Sequence, residues 1–269
     1  MTDLITLHTH STFCGHAKDP LGAMVDAASR AGVRVMAATE HYPVNERFDP
    51  FKHASMPPER LEPYCQAVLE ERDRHPEMEI LLGCELDWLG DDEDRNLSAE
   101  DFDRFDIVLG SVHFVDGWLI NSTRTKERWE EVGVDDVWRR YIDLWCDAAA
   151  SAMPFTVMSH PDVVKKFGSY PSFDLLPHYE RMAEAAREGN RMIEVNTSGK
   201  YAPCAQYYPS PEMLEVFAQA GVDCTVGTDA HQAAHIARDV REAYDYMRHA
   251  GYRRVAVPRI GGDTSYLDL

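Results

Sequence analysis

The sequence has few positive charges and no long apolar run. It contains 27 lysine and arginine residues against 46 aspartate and glutamate residues, for a formal net charge of −19. Because proteins bind nucleic-acid backbones mainly through lysine and arginine, we expect no nucleic-acid partner. No stretch is long and apolar enough to span a bilayer, so we expect no membrane segment. An anionic substrate must therefore be attracted by local charges at its site.

Signals for secretion and for disulfide cross-linking are also missing. The chain opens with Leu4–Leu7, which we interpret as a core strand, and shows no basic region followed by an apolar leader. Its six cysteines form no C-x-x-C pair. We therefore expect reduced, mostly buried thiols in a cytoplasmic protein. The sequence carries no signal for an oligomeric state.

Short β-rich runs alternate with segments of helical periodicity along the chain. The predicted strands are Leu4–Leu7, Arg34–Thr39, Glu79–Cys84, Asp106–Leu109, Thr156–Met158, Met192–Val195, Asp223–Val226 and Arg254–Val257. The predicted helices are Leu21–Ala31, Pro58–Arg74, Val134–Ala150, Phe173–Glu188, Pro211–Ala220 and Ala233–Ala250. This order is typical of a parallel sheet covered by helices, as in an open sheet or a closed barrel.

No glycine-rich nucleotide-binding fingerprint supports an open sheet. Internal repeats and linkers are not apparent, and the acidic run Gly90–Asp94 is typical of a solvated loop. With 44% hydrophobic residues, the chain is large enough for one substantial core. We therefore predict an α/β protein with residues 1–269 forming a single domain.

Residue types that bind metals recur at the ends of the predicted strands. They are His8, His10 and His16 after the first strand, Glu40 and His41 after the second, Glu85 after the third, His113 after the fourth, His160 after the fifth, and Asp229 and His231 after the seventh. A lone histidine at a strand end is usually structural. In a barrel, however, the carboxyl ends of all the strands open onto one face, where these side chains would converge.

The spacing within two of these motifs favours shared ions. Residues i and i+2 of an extended segment project to the same side, so His8 and His10 can reach one ion, as can Asp229 and His231. Imidazoles with a few carboxylates suit zinc, iron or manganese. The candidates are too numerous for one tetrahedral ion, and Glu85 is the best placed carboxylate to bridge two. The sequence therefore predicts a metal cluster.

At these residues the chain resembles the polymerase and histidinol phosphatase (PHP) family, and within it the stand-alone histidinol-phosphate phosphatases. The similarity covers nearly the whole length. Its motifs are His8-Thr9-His10, Thr39-Glu40-His41, Gly83-Cys84-Glu85, Gly110–Phe114, His160–Lys166, Ile193–Gly199, Tyr208–Pro211 and Gly227–His231. The resemblance implies a distorted (β/α)7 barrel whose metal site lies at the C-terminal ends of the strands.

The resemblance also implies three divalent ions and a ligand set. The first ion would bind His8, His10, Glu85 and Asp229; the second Glu85, His113 and His160; the third His16, His41 and His231. Glu40 is outside this set, and we expect it to orient a histidine through a hydrogen bond.

The expected substrate is a small phosphate monoester, L-histidinol phosphate. Coordination lowers the pKa of water to about 7, so we expect a hydroxide bridging two ions beside Glu85 to attack phosphorus. Asp229 is a candidate proton acceptor, and His231 is a third candidate catalytic residue. Lys166, Lys200 and Arg124 are candidate contacts to the phosphate.

Alternative functions share parts of this pattern. A phosphatase or phosphodiesterase of the same fold could act on another small ester, such as a nucleotide. An amidohydrolase-type hydrolase would also have H-x-H after its first strand, but it would leave His16, His41 and His231 without a role. A nuclease role is disfavoured by the absence of a basic face. A non-catalytic metal-binding module is disfavoured by the intact ligand set.

Overall fold

A computed structural model describes residues 2–49, 54–90 and 99–269. Its strands are β1 (Leu4–Thr6), β2 (Val33–His41), β3 (Glu79–Asp87), β4 (Ile107–Ser111), β5 (Phe114–Val115), β6 (Trp118–Leu119), β7 (Val157–Met158), β8 (Met192–Asn196), β9 (Cys224–Gly227), β10 (Arg254–Pro258) and β11 (Thr264–Asp268). Its α-helices are α1 (Leu21–Ala31), α2 (Leu61–Arg74), α3 (Arg128–Val132), α4 (Val134–Ala150), α5 (Leu176–Glu188), α6 (Pro211–Gln219) and α7 (Val240–His249).

Seven parallel strands form one sheet in the order β1-β2-β3-β4-β7-β8-β9. The two ends of this sheet also meet. Leu7 N donates to Val226 O at 2.9 Å, Asp229 N donates to His8 O at 2.8 Å, and His10 N donates to Ala230 O at 2.9 Å. These hydrogen bonds join the segments after β1 and β9, so the sheet closes into a distorted barrel. The predicted fold class is confirmed.

The helices cover the outside of the barrel with buried aromatic side chains. In α4, Trp138, Tyr141 and Trp145 are each at most 1% exposed, and they lie on one face at helical spacing. The hydroxyl of Tyr64 in α2 lies 2.6 Å from Ala38 O and 2.7 Å from Gly83 O, which ties this helix to β2 and β3. Among the described residues, no helix combines the length and apolar character needed to cross a membrane.

Three elements were not predicted from the sequence. The first is the β5–β6 hairpin, whose turn residues Asp116 and Gly117 have φ angles of 48° and 77°. An Asp-Gly pair between apolar residues is a strong hairpin signal, but it is obscured here because each strand has only two residues. The others are the short helix α3 and strand β11, which pairs with β10 antiparallel. The acidic run expected to form a loop lies, beyond Gly90, outside the described residues, and the single-domain organisation stays a prediction.

A buried ion pair anchors the loop that follows β7. Lys165, which is 0% exposed, places Nζ 2.8 Å from Asp162 Oδ2 and donates to Tyr207 O at 2.8 Å. The same Asp162 oxygen accepts a hydrogen bond from Ser210 N at 2.8 Å. The ion pair therefore joins two loops at the carboxyl ends of β7 and β8, and it holds the segment that carries His160.

Replacing Lys165 by Met should strongly destabilise the protein. The change leaves the Asp162 carboxylate buried without its cation, and breaking such a pair costs about 3–5 kcal/mol. Urea unfolding measures this loss. Lys166→Met is the matched control because Lys166 has no ion pair with a described residue, and it should change the free energy of unfolding by about 1 kcal/mol or less. Equal effects of the two substitutions would contradict the anchoring role.

Candidate metal centre

The structure brings together the four residues expected to bind a first ion. His8 Nε2 lies 3.0 Å from His10 Nε2, and Glu85 Oε2 lies 3.3 Å from both nitrogens. Asp229 Oδ1 is 3.3 Å from His10 Nε2 and 3.8 Å from His8 Nε2. Donor atoms around a tetrahedral ion with bonds of about 2.0–2.1 Å are separated by about 3.3 Å. The arrangement therefore matches four ligands of one divalent cation.

A second group surrounds the other oxygen of Glu85. Oε1 lies 3.0 Å from His160 Nε2 and 3.6 Å from His113 Nε2, and these two nitrogens are 3.1 Å apart. Ser111 Oγ donates to the same oxygen at 2.7 Å. Because its two oxygens face two different donor groups, Glu85 has the geometry of a carboxylate that bridges two cations.

A third group lies at the more exposed side of the centre. His16 Nε2 and His231 Nε2 are 3.1 Å apart. The His41 ring lies further away, with its centroid 5.2 Å from that of His16 and 6.3 Å from that of His231, while its Nδ1 is 2.9 Å from Glu85 Oε2. His10 stacks between His41 and His231 at centroid distances of 4.4 and 4.3 Å. His41 thus lies between the first and third groups.

The chemistry of the donors fits cations. Each group contains two imidazole nitrogens at 3.0–3.1 Å from each other. Two neutral imidazoles can share one proton across such a contact. Glu85 Oε2 and His41 Nδ1 are buried and lie 2.9 Å apart as an ion pair, but neither atom makes a hydrogen bond of normal geometry. Burying polar atoms without partners is costly. Divalent ions placed among these atoms would satisfy them, so the side chains fit a cluster of divalent metals.

Two carboxylates that were not predicted as site residues hold the histidines in place. Glu194 in β8 lies 3.0 Å from His8 Nδ1, and Asp87 at the end of β3 lies 2.8 Å from His113 Nδ1. A carboxylate on Nδ1 fixes the tautomer that leaves Nε2 free to bind a metal. The sequence signal that could have revealed Glu194 is its position as an acidic residue between the apolar residues Ile193 and Val195 of a predicted strand.

Glu40 makes its main contacts elsewhere. Its Oε1 accepts hydrogen bonds from Ser11 N at 2.6 Å and from Ser11 Oγ at 2.5 Å. Its Oε2 is 4.0 Å from His10 Nδ1, so its predicted role in orienting a histidine stays a prediction. Burial raises the pKa of Glu40 to about 7, and the Ser11 hydrogen bonds act in the opposite direction.

The backbone is in the left-handed region at two of the predicted ligand positions. His160 has a φ of 23° and Asp229 a φ of 49°. Such conformations cost about 1–3 kcal/mol each and persist where the surroundings enforce them. The His160 amide donates to Glu194 Oε2 at 2.9 Å, and the Asp229 amide donates to His8 O. The strain is therefore located at the metal centre, where it aims both side chains inward.

Burial and neighbouring charges shift the pKa values in opposite directions across the centre. Burial lowers the pKa of His41, but the carboxylates of Glu85, Asp87 and Asp229 outweigh it and raise the value to about 9. For His10, burial dominates and the neighbouring histidines add to it, so its pKa lies well below the usual value. Burial raises the pKa of Glu85, yet the surrounding imidazoles outweigh it and keep the carboxylate ionised.

The three expected phosphate contacts are placed differently. Lys166 is half-buried, and its ammonium has no hydrogen bond or ion pair with a described residue. Burial lowers its pKa, and the carboxylate of Asp229 acts in the opposite direction. Lys200 is exposed and pairs with Asp239 at 3.1 Å. Arg124 is exposed in the 3-10 turn Thr123–Thr125. Of the three, Lys166 is therefore the cation best placed for a ligand at the centre.

Metal binding should release protons from the metal-free protein at neutral pH. Ligand imidazoles bind metals in their neutral form, whereas a pKa of about 9 keeps His41 protonated at pH 7. Raising the pH removes this competing proton, so the apparent affinity for zinc should increase up to about pH 9. Calorimetric zinc titrations in two buffers of different ionisation heat measure the protons released.

His41→Gln should lower the number of protons released at pH 7. His249→Gln, which changes an exposed histidine of α7, is the matched control and should leave that number unchanged. Zinc binding without proton release would contradict the protonated state of His41.

Comparisons with known proteins find relatives that match nearly the whole chain. A protein named "Probable histidinol-phosphatase" from Deinococcus radiodurans is 30% identical over 260 residues, which cover 95% of this chain and 96% of that protein. A protein of the same name from Schizosaccharomyces pombe is 21% identical and covers 96% of this chain and 90% of its own length.

The fold is also found among solved structures. A crystal structure of histidinol phosphate phosphatase from Lactococcus lactis, in complex with zinc, L-histidinol and phosphate, matches with a TM-score of 0.76. It is 19% identical, and the match covers 96% of this chain and 97% of that one. The family model for the PHP domain matches residues 6–198, which is most of the chain. The chain therefore belongs to the PHP domain family.

Proposed function

We propose that the protein is a metal-dependent phosphatase that hydrolyses L-histidinol phosphate to L-histidinol and phosphate. The observation that carries this proposal is the convergence of two histidine groups on the two oxygens of Glu85, with a third histidine group beside them. The 30% identical relative bears the name of a histidinol phosphatase. The similar Lactococcus structure holds zinc and both reaction products of such an enzyme.

The proposed metal positions follow the three donor groups. His8, His10, Glu85 and Asp229 would hold a first divalent ion, and Glu85 would share its other oxygen with a second ion at His113 and His160. The third position would take His16 and His231 together with His41, whose Nδ1 faces Glu85 in this structure. The ligand types suit zinc, iron and manganese alike.

Divalent ions at these positions would lower the pKa of water to about 7 and would bind the phosphoryl oxygens. The protein supplies the geometry for that chemistry. Glu85 is 1% exposed, so it holds its two donor groups in a site with little competing water. Asp229 directs Oδ1 at His10, and its Oδ2 accepts a hydrogen bond from Ser198 Oγ at 3.3 Å. We propose Asp229 as the acceptor of the proton from the attacking water.

Two more side chains complete the proposal. His231 has a side chain 33% exposed, so it lies where substrate can enter, and its Nδ1 is 3.0 Å from Asp229 O. Lys166 would neutralise the phosphate because it is a half-buried cation without an ion-pair partner among the described residues. It is close enough to Asp229 for the charge of that carboxylate to act on its pKa. Lys200 and Arg124 lie farther out on the surface and would act on the approach of the anion.

A phosphate-release screen on metal-loaded protein tests the substrate. L-histidinol phosphate should be hydrolysed with a kcat/KM at least about tenfold higher than that for nucleoside monophosphates or aryl phosphates. Glu85→Ala is the control for metal dependence, since it removes a ligand of two positions and should abolish both bound metal and activity. Equal turnover of all esters would remove histidinol phosphate from the proposal while leaving a phosphatase.

Lys166→Met should weaken substrate binding more than it slows turnover. The substitution removes a cation that would bind the phosphate in both ground and transition states, so KM should rise about tenfold or more with a smaller change in kcat. Steady-state kinetics on histidinol phosphate measure both constants. Lys126→Met, which changes an exposed lysine beside Phe167, is the control and should leave them unchanged. An unchanged KM in Lys166→Met would show that the phosphate lies elsewhere.

A further inference from the structure

Glu194 lies between the first and second metal positions without belonging to either ligand set. Its side chain is 1% exposed. Its Oε1 lies 3.0 Å and its Oε2 3.2 Å from His8 Nδ1, a side chain of the first position. Its Oε2 accepts hydrogen bonds from the His160 amide at 2.9 Å and from Asn196 Nδ2 at 3.0 Å. One carboxylate thus contacts a ligand of each position, through a side chain in one case and through the backbone in the other.

We propose that Glu194 is a positioning residue that couples the first and second metal positions. It fixes the tautomer of His8, whose Nδ1 is nearest to Oε1, and it fixes the strained backbone of His160 through Oε2. This inference rests on the metal positions of the proposed function, but it does not depend on which phosphate ester is the substrate. A substitution at Glu194 can therefore alter the ligands of both positions, although neither ion would contact this residue.

The pattern of donors explains why this residue must be a carboxylate. His8 Nδ1 donates when its Nε2 binds a metal, and the His160 amide and Asn196 Nδ2 are donors in every state. Three donors therefore converge on two oxygens, and none of the partners accepts a hydrogen bond. An ionised carboxylate, which only accepts, satisfies all of them.

A glutamine at position 194 would satisfy one side only. If its oxygen faced the His160 amide, its NH₂ group would face His8 Nδ1 and would favour the tautomer with a proton on Nε2, which cannot bind a metal. If its oxygen faced His8, the NH₂ group would oppose the donors of His160 and Asn196. Each orientation damages one metal position, so no orientation preserves both.

The surroundings leave Glu194 little room to move. A Cβ atom at Gly227 would lie 1.7 Å from Glu194 Oε1 and 2.5 Å from His8 Cβ. Gly227 is the last residue of β9, so the neighbouring strand reaches van der Waals contact with this carboxylate only because it has no side chain there. The close fit means that a substituted side chain cannot turn away to relieve the conflict.

Zinc binding by Glu194→Gln tests the coupling without any substrate. Competition against a chelator should show that zinc binds at least one of the two positions, the one that the NH₂ group opposes, about 10–100-fold more weakly than in the unsubstituted protein. Glu71→Gln is the matched control, because Glu71 is a buried glutamate of α2 that pairs with Arg74 and does not contact the centre. It should leave zinc affinity unchanged.

Nuclear magnetic resonance of the zinc-loaded protein supplies a readout that general destabilisation would not produce. Long-range proton–nitrogen correlations should show a protonated Nδ1 and a metal-bound Nε2 for His8, and this signature should be lost or mixed in Glu194→Gln. Unchanged tautomers and affinities would overturn the proposal. If the His8 signature persists in Glu194→Gln, the second position must be the weakened one, and full zinc affinity there would overturn the coupling. An unsubstituted protein that binds no zinc would overturn the proposed function together with this inference.

A second variant restores one side of the arrangement. In the double variant Glu194→Gln with Asn196→Asp, the new NH₂ group can donate to the new carboxylate, and the glutamine oxygen remains available for His8. The first position should recover most of its zinc affinity, while the second stays weak because the His160 amide has lost its acceptor. This variant is measured in place of the single one if the single one fails to fold. If the double variant binds zinc at both positions as tightly as the unsubstituted protein does, the proposal is overturned.

Discussion

The structure depends on the concentration of ionisable groups around one buried carboxylate. Glu85 is 1% exposed, and its Oε2 lies within 3.3 Å of one nitrogen each of His8, His10 and His41. In a barrel interior such groups lose their hydration, which disfavours every charged form. They are stable only because they compensate each other and, in the proposed enzyme, because cations would lie between them. The surrounding fold keeps Glu85 and the three nearest imidazoles buried.

A glycine at the end of β9 helps to make that concentration possible. Gly227 gives space to Glu194 and His8, because a Cβ atom there would lie 1.7 Å from Glu194 Oε1 and 2.5 Å from His8 Cβ. The carboxylates Glu194 and Asp87 then hold the outer nitrogens of His8 and His113. The loop after β7 is held in turn by the buried pair of Lys165 and Asp162. The imidazoles are thus oriented by neighbouring carboxylates, and the loop after β7 is held by a buried ion pair.

Much of the fold, and the set of residues that converge at the candidate site, could be predicted, because both depend on local patterns. Alternating strand and helix periodicities indicate parallel strands, and parallel strands in a barrel bring their carboxyl ends to one face. The His-x-His spacing and the histidine after β4 indicate metal binding from the local sequence alone, before the residues that face them in the fold are known. The β5–β6 hairpin was missed because two-residue strands leave almost no periodicity, although its Asp-Gly turn was visible.

The sequence by itself determined the alternation of strands and helices and the donor residues at their ends, because side-chain type and spacing are properties of neighbouring residues. Only the tertiary structure decided how those donors divide among groups, as with His41, which turns toward Glu85. It also decided the roles of the adjacent Lys165 and Lys166: the first is a buried structural cation and the second a half-buried one without an ion pair among the described residues. Burial and pairing depend on residues distant in sequence, such as Tyr207 and Asp229, and no local pattern contains that information.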